Sequence, residues 1–523
     1  MTFPRSAGVL LHPTSLPGPY GIGTLGTEAR RFVDLVSSAG IGLWQVLPLG
    51  PTGYGDSPYQ SLSAFAGNPY LIDPDELVKA GLLDSAAADA AKSENVGRVD
   101  FGAMFVQRNA LLDAAWKNFC AKQSFTENDR PGQSETGGTA AQDTAAQDAL
   151  AADFESFRQN NAFWLKDFAL FSAIKETEHY APWNTWPVQL KERHPEALAD
   201  FEADLAHADR IGRHEFVQFL FYRQWTALHD YARQHGVQII GDIPIFVAYD
   251  SADTWSHPEL FQLDKELRPI KVAGVPPDYF TATGQLWGNP LYDWPANKRL
   301  EFTWWIARIR ETFALVDLLR IDHFRGFESY WAVPAQDTTA ANGTWEKGPG
   351  TELFRAIFAE LGELPILAED LGFMTPEVHA LRDTLGFPGM KILQFAFESP
   401  TDEDYPHNFV RNCIVYSGTH DNNTSMGWFA ATTPEIRKRA LAYTAGRAET
   451  FNWDMIRTAW ASPACIAVAP AQDLLGLGSE ARMNYPGKQG GYWSWRMKEG
   501  ELTPDIVQHL KDLTATYFRA ARR

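Results

Sequence analysis

The stretch LLRIDHFRGF, residues 318–327, begins as an apolar run and then places four ionisable side chains within six residues. They are Arg320, Asp322, His323 and Arg325. In a β-strand, residues i and i+2 share a face, so Arg320 and Asp322 would be neighbours. The guanidinium then offsets the cost of burying the carboxylate and favours its ionised form. The pattern predicts an ionised, positioned carboxylate, and the alternative is a purely structural ion pair.

A second candidate carboxyl group follows the apolar run PILAEDLG, which begins at Pro365. An ionised carboxylate beside a carboxyl group that stays protonated is the pair that a glycosidase uses as nucleophile and general acid. Glu369 is the candidate acid. Adjacent strand residues point to opposite faces, so alternation alone does not choose between Glu369 and Asp370.

Eight short apolar runs, flanked by Gly or Pro, recur along the chain. They are GVLLHPTS from Gly8, LWQVLPLGP from Leu43, VQIIGDIPIFV from Val237, VDLLRIDHF from Val316, PILAEDLG from Pro365, MKILQFAF from Met390, CIVYSGTHDN from Cys413 and CIAVAPAQDLLG from Cys465. Between them lie helical patterns such as HEFVQFLFYRQWTALHDYARQHG from His214, which stops at Gly236. Continuous apolar strands that alternate with helices are typical of a parallel sheet covered on both faces. Eight of them predict an α/β fold of the (β/α)8 TIM-barrel type.

Acidic residues close five of the eight runs. They are Asp242, Asp322, Glu369, Asp370, Asp421 and Asp473. Active sites of such barrels lie at the carboxyl ends of the strands, so we expect these side chains to converge on one rim. A single Asp at such a position can instead cap the following helix or close a loop. Five strand ends in one barrel favour the functional interpretation.

Two connections are too long for ordinary loops. We expect one catalytic barrel over residues 1–523, with a mainly helical insertion at about 52–210 between strands 2 and 3. A second insertion, at about 247–314 between strands 3 and 4, would supply active-site loops. The Gly, Ser, Thr and Gln-rich segment 128–149 is predicted to be mobile. We expect no separate C-terminal β domain.

Composition excludes several classes of function. The chain has 523 residues, 45% of them hydrophobic, and a formal net charge of -19 with a pI near 5.1, which argues against nucleic acid or an anionic membrane as partner. Cys120, Cys413 and Cys465 have no CxxC spacing, so neither a disulfide framework nor a zinc site is indicated. No apolar run reaches the roughly 18 residues of a membrane span, and the first residues lack a signal-peptide core. A reducing cytoplasm fits best.

Aromatic residues support a sugar site. The chain contains 18 Trp, and 13% of its residues are aromatic. Two Gly and Pro-rich stretches, YGDSPYQSLSAFAGNPY from Tyr54 and GVPPDYFTATGQLWGNPLYDW from Gly274, combine aromatic rings with Asn, Gln, Asp and Ser. Such a mixture stacks on sugar faces and hydrogen-bonds hydroxyl groups, although a well-packed loop would use similar residues.

At these motifs the sequence closely resembles glycoside hydrolase family 77, the 4-alpha-glucanotransferases of the amylomaltase type. The resemblance covers nearly the whole chain. It is carried by HPTSLPGPYGIGTLG, SPYQSLSAFAGNPYLI, GDIPIFVAYDSADTW, GVPPDYFTATGQLWGNPLYDW, RIDHFRGF, AEDLG, FPGMKILQFAF, SGTHDN and QDLLGLGSEARMN. The low-complexity segment at 128–149 departs from the family pattern but lies away from every motif.

The resemblance implies a retaining double displacement on alpha-1,4-glucans. Asp322 would be the nucleophile, Glu369 the acid and then the base, and Asp421 the carboxylate that stabilises the transition state. The substrate-binding residues that it implies are Tyr59, Asp242, Tyr279, Phe280, Trp287, Arg320, His323, Asp370 and His420.

The implied substrates are malto-oligosaccharides and glucans derived from starch or glycogen, with glucose as an acceptor. No cofactor and no metal site are expected, and we expect a monomer or a weak homo-oligomer. Two other functions use the same features: a glucan hydrolase that passes the sugar to water, and a glucan-binding protein without turnover. The intact set of Asp322, Glu369 and Asp421 speaks against the second.

Overall fold

The structure is a computed structural model that describes residues 3–53, 55–128, 139–277, 282–399, 401, 404–488 and 490–521, without the side chains of 124–128 and 139–144. The strands of this part of the chain are β1 (Ser6–Leu10), β2 (Leu43–Gln45), β3 (Gln238–Pro244), β4 (Lys271–Val275), β5 (Gln285–Pro290), β6 (Leu318–Asp322), β7 (Ser329–Pro334), β8 (Thr344–Lys347), β9 (Ile366–Ala368), β10 (Gly389–Ile392), β11 (Cys413–Tyr416) and β12 (Ile466–Pro470).

Eight of these strands form a parallel barrel. Their order is β10-β11-β12-β1-β2-β3-β6-β9, so each predicted apolar run supplies one barrel strand and the predicted fold is confirmed. The main-chain ladder stops between β9 and β10. There the Ala368 N–H donates to the Pro388 carbonyl at 2.9 Å, and this contact closes the ring. We call the join between β9 and β10 the seam.

Helices pack around the barrel and fill the long connections. Their bounds are α1 (Thr27–Ser38), α2 (Pro74–Lys79), α3 (Ser85–Ala90), α4 (Phe101–Asn128), α5 (Thr139–Asn160), α6 (Ala162–Thr177), α7 (Val188–Lys191), α8 (Pro195–Ala203), α9 (Leu205–Gln234), α10 (Ala252–Ser256), α11 (Trp294–Arg299), α12 (Thr303–Leu315), α13 (Thr351–Leu361), α14 (Pro376–Leu385), α15 (Leu393–Glu398), α16 (Ser425–Ala431), α17 (Pro434–Thr444), α18 (Phe451–Ala461), α19 (Ala471–Leu474) and α20 (Pro504–Thr516). The helix predicted from His214 is the C-terminal part of α9. Gly236, with φ of 73°, follows its end and turns the chain into β3.

The inside of the barrel is filled by one apolar layer. Its buried side chains, contributed by all eight strands, are Leu10, Leu43, Ile240, Leu318, Leu367, Met390, Ile414, Tyr416, Ile466 and Val468. Because side chains alternate along a strand, the residue two positions further also points inward, toward the carboxyl-end mouth. Inward-facing Ile240, Leu318 and Leu367 therefore place Asp242, Arg320 and Glu369 above this layer.

The connection between β2 and β3 contains α2 to α9. Of the segment 128–149, residues 139–149 belong to α5, whereas 129–138 lie outside the described residues. The mobility of this segment stays a prediction. After β12, the described residues form helices and loops. Within the described part of the chain, no helix combines the length and the apolar character that a bilayer span requires.

A second sheet was not foreseen from the sequence. Strands β5-β4-β7-β8 form a four-stranded antiparallel sheet, built from the connection that was predicted to contain loops and from the next one, between β6 and β9. These strands are short and partly exposed, with Gly and Pro inside them, so their hydrophobic pattern is weak. The sheet carries Trp287 on β5 and Trp345 on β8 to the mouth of the barrel.

Candidate active site

A cleft of about 520 Å³ opens at the carboxyl ends of the barrel strands. Its lining includes Trp287, Arg320, Asp322, His323, Arg325, Trp345, Glu369, Phe373, Phe395, Thr419, Asp421 and Asn422. The carboxylates that close β6 and β9 and the one in the loop after β11 therefore share one rim, as the barrel prediction requires. Tyr59, Asp242 and His420 join this group through direct contacts.

Arg320 holds two carboxylates at the mouth. Its Nη1 donates to both oxygens of Asp242, at 2.8 and 2.6 Å, and its Nη2 donates to Oδ1 of Asp322 at 2.7 Å. The Arg320 side chain is only 4% exposed, Asp242 is fully buried, and Asp322 is 28% exposed. The guanidinium therefore fixes Asp322 with one oxygen, while the side chain still reaches the cleft.

A wall of aromatic rings stands beside this group. The hydroxyl of Tyr59 donates to Oδ2 of Asp242 at 2.8 Å, and the Tyr59 ring stacks on His420, with centroids 5.1 Å apart and planes 19° apart. Trp493 packs against both rings, with ring centroids 5.8 Å apart in each case.

Burial raises the pKa of Asp242 to about 6, even though Arg320 lowers it.

Glu369 lies next to Asp322 across the β6–β9 ladder. Ile321 pairs with Ala368, so the following residues of the two strands are neighbours. The main-chain N–H groups of His323 and Leu371 donate to Oε2 and Oε1 of Glu369, at 2.7 and 3.0 Å. Burial raises the pKa of Glu369 to about 8, and the charge of Asp322 adds to this rise, while Arg320 opposes it. At neutral pH this carboxyl group is therefore mostly protonated.

Asp421 has the opposite character. Burial raises its pKa, but the charge of His420 and hydrogen bonds outweigh this effect, so the pKa falls well below its usual range. Nδ2 of Asn484 donates to Oδ1 of Asp421 at 2.6 Å, and His420 Nε2 lies 3.3 Å from Oδ2. Arg482 fixes the loop, since its Nη2 donates to the Asp421 carbonyl at 2.6 Å. Asp421 is a carboxylate across the working pH range.

His323 adopts the left-handed conformation, with φ of 53°. This turn directs its N–H toward Glu369 and brings its ring into edge-to-face contact with Trp287. The centroids of the two rings are 4.7 Å apart and their planes 86° apart. Burial, together with the charge of Arg325, lowers the pKa of His323 to about 3. The imidazole is therefore neutral, and the described residues offer its buried Nε2 no hydrogen-bond partner.

The two adjacent acids after β9 point to opposite faces of the strand. Glu369 follows the inward-facing Leu367, whereas Asp370 lies on the opposite face. Asp370 is outside the cleft lining: Oδ1 accepts from the Met390 N–H of β10 at 2.6 Å, and Oδ2 pairs with Arg382. Asp370 thus fastens the seam. Its implied role in substrate binding stays a prediction.

Two of the implied substrate-binding residues, Tyr279 and Phe280, lie outside the described residues. The residues that the sequence analysis missed are Asn484, Arg482, Phe373, Trp345 and Phe395. Asn484 and Arg482 end the motif QDLLGLGSEARMN, which was recognised as a motif without roles for its members. No group of three or more His, Cys, Asp or Glu side chains within the described residues forms a candidate metal site.

The fold and the cleft define the class as a (β/α)8-barrel enzyme with a carboxylate site at its mouth. The family model of glycoside hydrolase family 77, described as 4-alpha-glucanotransferase, matches residues 11–503. The 4-alpha-glucanotransferase of Thermus thermophilus is 49% identical over 520 residues, with 98% of both chains covered. An amylomaltase from Streptococcus agalactiae, solved with acarbose, superimposes with a TM-score of 0.90 at 40% identity, over 99% of this chain and all of that one.

An amylomaltase from Corynebacterium glutamicum shares the fold at 17% identity, with a TM-score of 0.76 over 98% of this chain and 75% of that one. The chain belongs to glycoside hydrolase family 77 and is a 4-alpha-glucanotransferase, a glycosyltransferase that acts on alpha-1,4-glucans.

Replacing Glu369 by Gln is expected to change how stability depends on pH. The folded protein keeps a proton on Glu369 up to about pH 8, whereas an unfolded chain releases it near pH ~4.3. Wild-type stability therefore falls as pH rises between these values, and a Gln that does not titrate removes this loss. In urea titrations, the unfolding free energy of the variant minus that of wild type should increase by about 2 to 4 kcal/mol from about pH 5 to about pH 8.

The control is Glu202→Gln at an exposed position of α8, which should give the same difference at both pH values. A pH-independent difference for the Glu369 variant would contradict the raised pKa.

Proposed function

We propose that this 4-alpha-glucanotransferase moves a segment of an alpha-1,4-glucan to the 4-hydroxyl of an acceptor glucan or of glucose by a retaining double displacement. The observation that carries the proposal is the pairing of an Arg-bound Asp322 with a protonated Glu369 at the ends of two neighbouring strands. Neighbouring strands lie about 4.8 Å apart. A retaining pair of carboxyl groups is about 5 to 5.5 Å apart, so this spacing suits a covalent intermediate.

In the first displacement, the free oxygen of Asp322 attacks the anomeric carbon. The bond from that carbon to the 4-oxygen of the leaving chain breaks, and Glu369 donates its proton to this oxygen. The products are a glycosyl ester of Asp322, a released glucan and a Glu369 carboxylate. Arg320 keeps Asp322 oriented during the attack, because it binds the other oxygen.

In the second displacement, the 4-hydroxyl of an acceptor attacks the same carbon. Glu369, now a carboxylate, takes the hydroxyl proton, and the ester bond to Asp322 breaks. The site returns to its initial protonation state. When the attacking hydroxyl belongs to water, the outcome is hydrolysis.

Asp421 is proposed to stabilise the transition state. A carboxylate held by Asn484 and His420 is oriented to bind hydroxyl groups of the distorted ring, and its negative charge favours the oxocarbenium character of that ring. Tyr59 offers a ring face beneath this sugar and is fixed by its bond to Asp242. Because this role needs charge, the low pKa of Asp421 supports it.

Acceptor-side binding is assigned to Trp287 and to the implied aromatic residues Tyr279 and Phe280. Aromatic side chains on the acceptor side favour a sugar acceptor over water, since aromatic rings stack on glucosyl rings and exclude solvent. Malto-oligosaccharides, glucans from starch or glycogen, and glucose as acceptor fit a cleft that combines aromatic rings with hydrogen-bonding side chains such as Thr419 and Asn422.

The organisation of the chain around this site is part of the proposal. Residues 52–210 and 247–314 are insertions that surround the mouth of one catalytic barrel, and the enzyme is a cytoplasmic monomer or weak homo-oligomer. The three cysteines of the sequence, which have no CxxC spacing, support the location.

The first test is chromatography of the products formed from maltotriose alone. Transfer yields glucose together with chains longer than maltotriose. If only glucose and maltose form, the protein is a hydrolase and the proposed transfer is wrong. If maltotriose stays unchanged, the protein binds glucans without turnover.

Asp322→Asn is expected to abolish turnover, with a loss of at least about 10⁴-fold, because the amide cannot form the glycosyl ester. The fold and some glucan binding should remain, as followed by circular dichroism and calorimetric titration with maltotriose. Asp200→Asn, at an exposed site on α8, is the matched control and should keep full activity. Turnover within about tenfold of wild type in the Asp322 variant would refute its role as nucleophile.

The rate should also depend on the protonation of Glu369. As pH rises through about 8, Glu369 loses the proton that the leaving oxygen needs, so kcat/KM should fall about tenfold per pH unit above that value. Initial rates of glucose release from maltotriose between about pH 6 and pH 10 provide the measurement. A profile that stays flat up to about pH 9.5 would exclude Glu369 as the acid with this pKa.

A further inference from the structure

Along one wall of the cleft, a cluster combines three aromatic rings and a guanidinium. Trp331 meets Trp345 edge to face, with ring centroids 5.2 Å apart and planes 65° apart. Phe373 lies nearly parallel to Trp345, with centroids 5.9 Å apart and planes 21° apart. The guanidinium of Arg325 sits 3.8 Å from the centre of the Trp345 ring. We call Phe373, Trp345 and Arg325 the aromatic platform.

The platform is rigidly held from below. Arg325 is 3% exposed, and its Nη2 and Nε donate to Oγ and the carbonyl oxygen of Ser329, at 3.0 and 3.3 Å. Its Nη1 donates to the main-chain carbonyl of Phe373. The Nε1 of Trp331 donates to the Ala340 carbonyl at 2.8 Å, which fixes the ring behind Trp345. These hydrogen bonds fix Arg325 and Trp331, which both contact the Trp345 ring.

The upper surface of the platform is open. Phe373 is 61% exposed and Trp345 is 39% exposed, and both line the same cleft as Asp322 and Glu369. Most large hydrophobic side chains of the described residues are buried, so two adjacent exposed rings that line a cleft indicate a binding surface. A flat aromatic face that is held rigidly suits the apolar face of a glucosyl ring.

The position of Phe373 relative to Glu369 indicates which glucosyl ring it meets. Phe373 lies four residues after Glu369, in the loop that leaves β9. Glu369 donates its proton to the oxygen of the leaving chain, so that chain, and later the acceptor, occupies the side of the cleft beyond Glu369. The first acceptor ring carries the attacking hydroxyl and lies at Glu369 itself. The platform is available to the next ring.

We propose that Phe373, supported by Trp345 and Arg325, binds the second glucosyl unit of the acceptor and thereby determines the preference for acceptor length. This inference rests on the proposed function. Phe373 contributes a ring face to acceptor binding and takes no part in the chemical steps. Its loss should therefore raise the KM for acceptors of two or more units and leave kcat nearly unchanged.

The test measures transfer from maltoheptaose to fluorescently tagged glucose, maltose and maltotriose, with product chains separated by chromatography. Phe373→Ala keeps the main-chain carbonyl that Arg325 binds and removes only the ring. We expect the KM for tagged maltose and maltotriose to rise about fivefold to tenfold. The KM for tagged glucose and all kcat values should stay within about twofold. Phe373→Tyr should restore wild-type values, because it retains the ring.

Phe518→Ala is the matched control, since Phe518 is 84% exposed and lies outside the cleft lining, and it should leave every KM unchanged. Equal KM values for Phe373→Ala and wild type with maltose would overturn the inference, as would an equal rise for glucose and maltose. A wild-type enzyme that transfers to none of the acceptors would instead refute the proposed function, on which the inference depends.

Discussion

The ion pairs of Arg320 are the interaction on which the site depends. A guanidinium at the top of the barrel interior is costly to bury, and three charge-assisted hydrogen bonds to the carboxylates of Asp242 and Asp322 offset this cost. Asp242 is fully enclosed and serves as the structural partner, so Asp322 needs to give only one oxygen. The same charge acts on Glu369 from a greater distance and limits the rise of its pKa. One cation thus orients two carboxylates and limits the rise of the pKa of both Asp242 and Glu369.

The eight strands could be predicted because buried parallel strands leave continuous apolar runs with clear Gly and Pro boundaries. The spacing of Arg320 and Asp322 was also sufficient to predict their contact. The choice between Glu369 and Asp370 was not predictable from alternation, because both faces of β9 are apolar: Leu367 faces the barrel interior and Ala368 faces the surrounding helices. Which side chains of β9 face the barrel interior becomes clear only when the residues that fill the interior are known.

The second sheet and the platform were missed for a different reason. Strands β5 and β8 are short and exposed, so they lack the pattern that marks a buried strand. Phe373 lies in a loop, where one aromatic residue carries no periodic signal. Its meaning comes from contacts with Trp345 and Arg325, which are distant in sequence and meet only through the fold. Asn484 likewise had a motif around it, but its contact with Asp421 spans 63 positions.

The seam between β9 and β10 gives the barrel an unequal wall. Elsewhere adjacent strands are joined by ladders of main-chain hydrogen bonds. Here the hydrogen bond from the Ala368 N–H to the Pro388 carbonyl and the one from the Met390 N–H to the Asp370 carboxylate connect the two strands. A ladder resists sliding of the strands through several hydrogen bonds, whereas at the seam much of this resistance comes from the side chain of Asp370. Asp370 is next in sequence to Glu369. The barrel wall beside Glu369 therefore depends on the side chain of Asp370, whose second oxygen is held by Arg382.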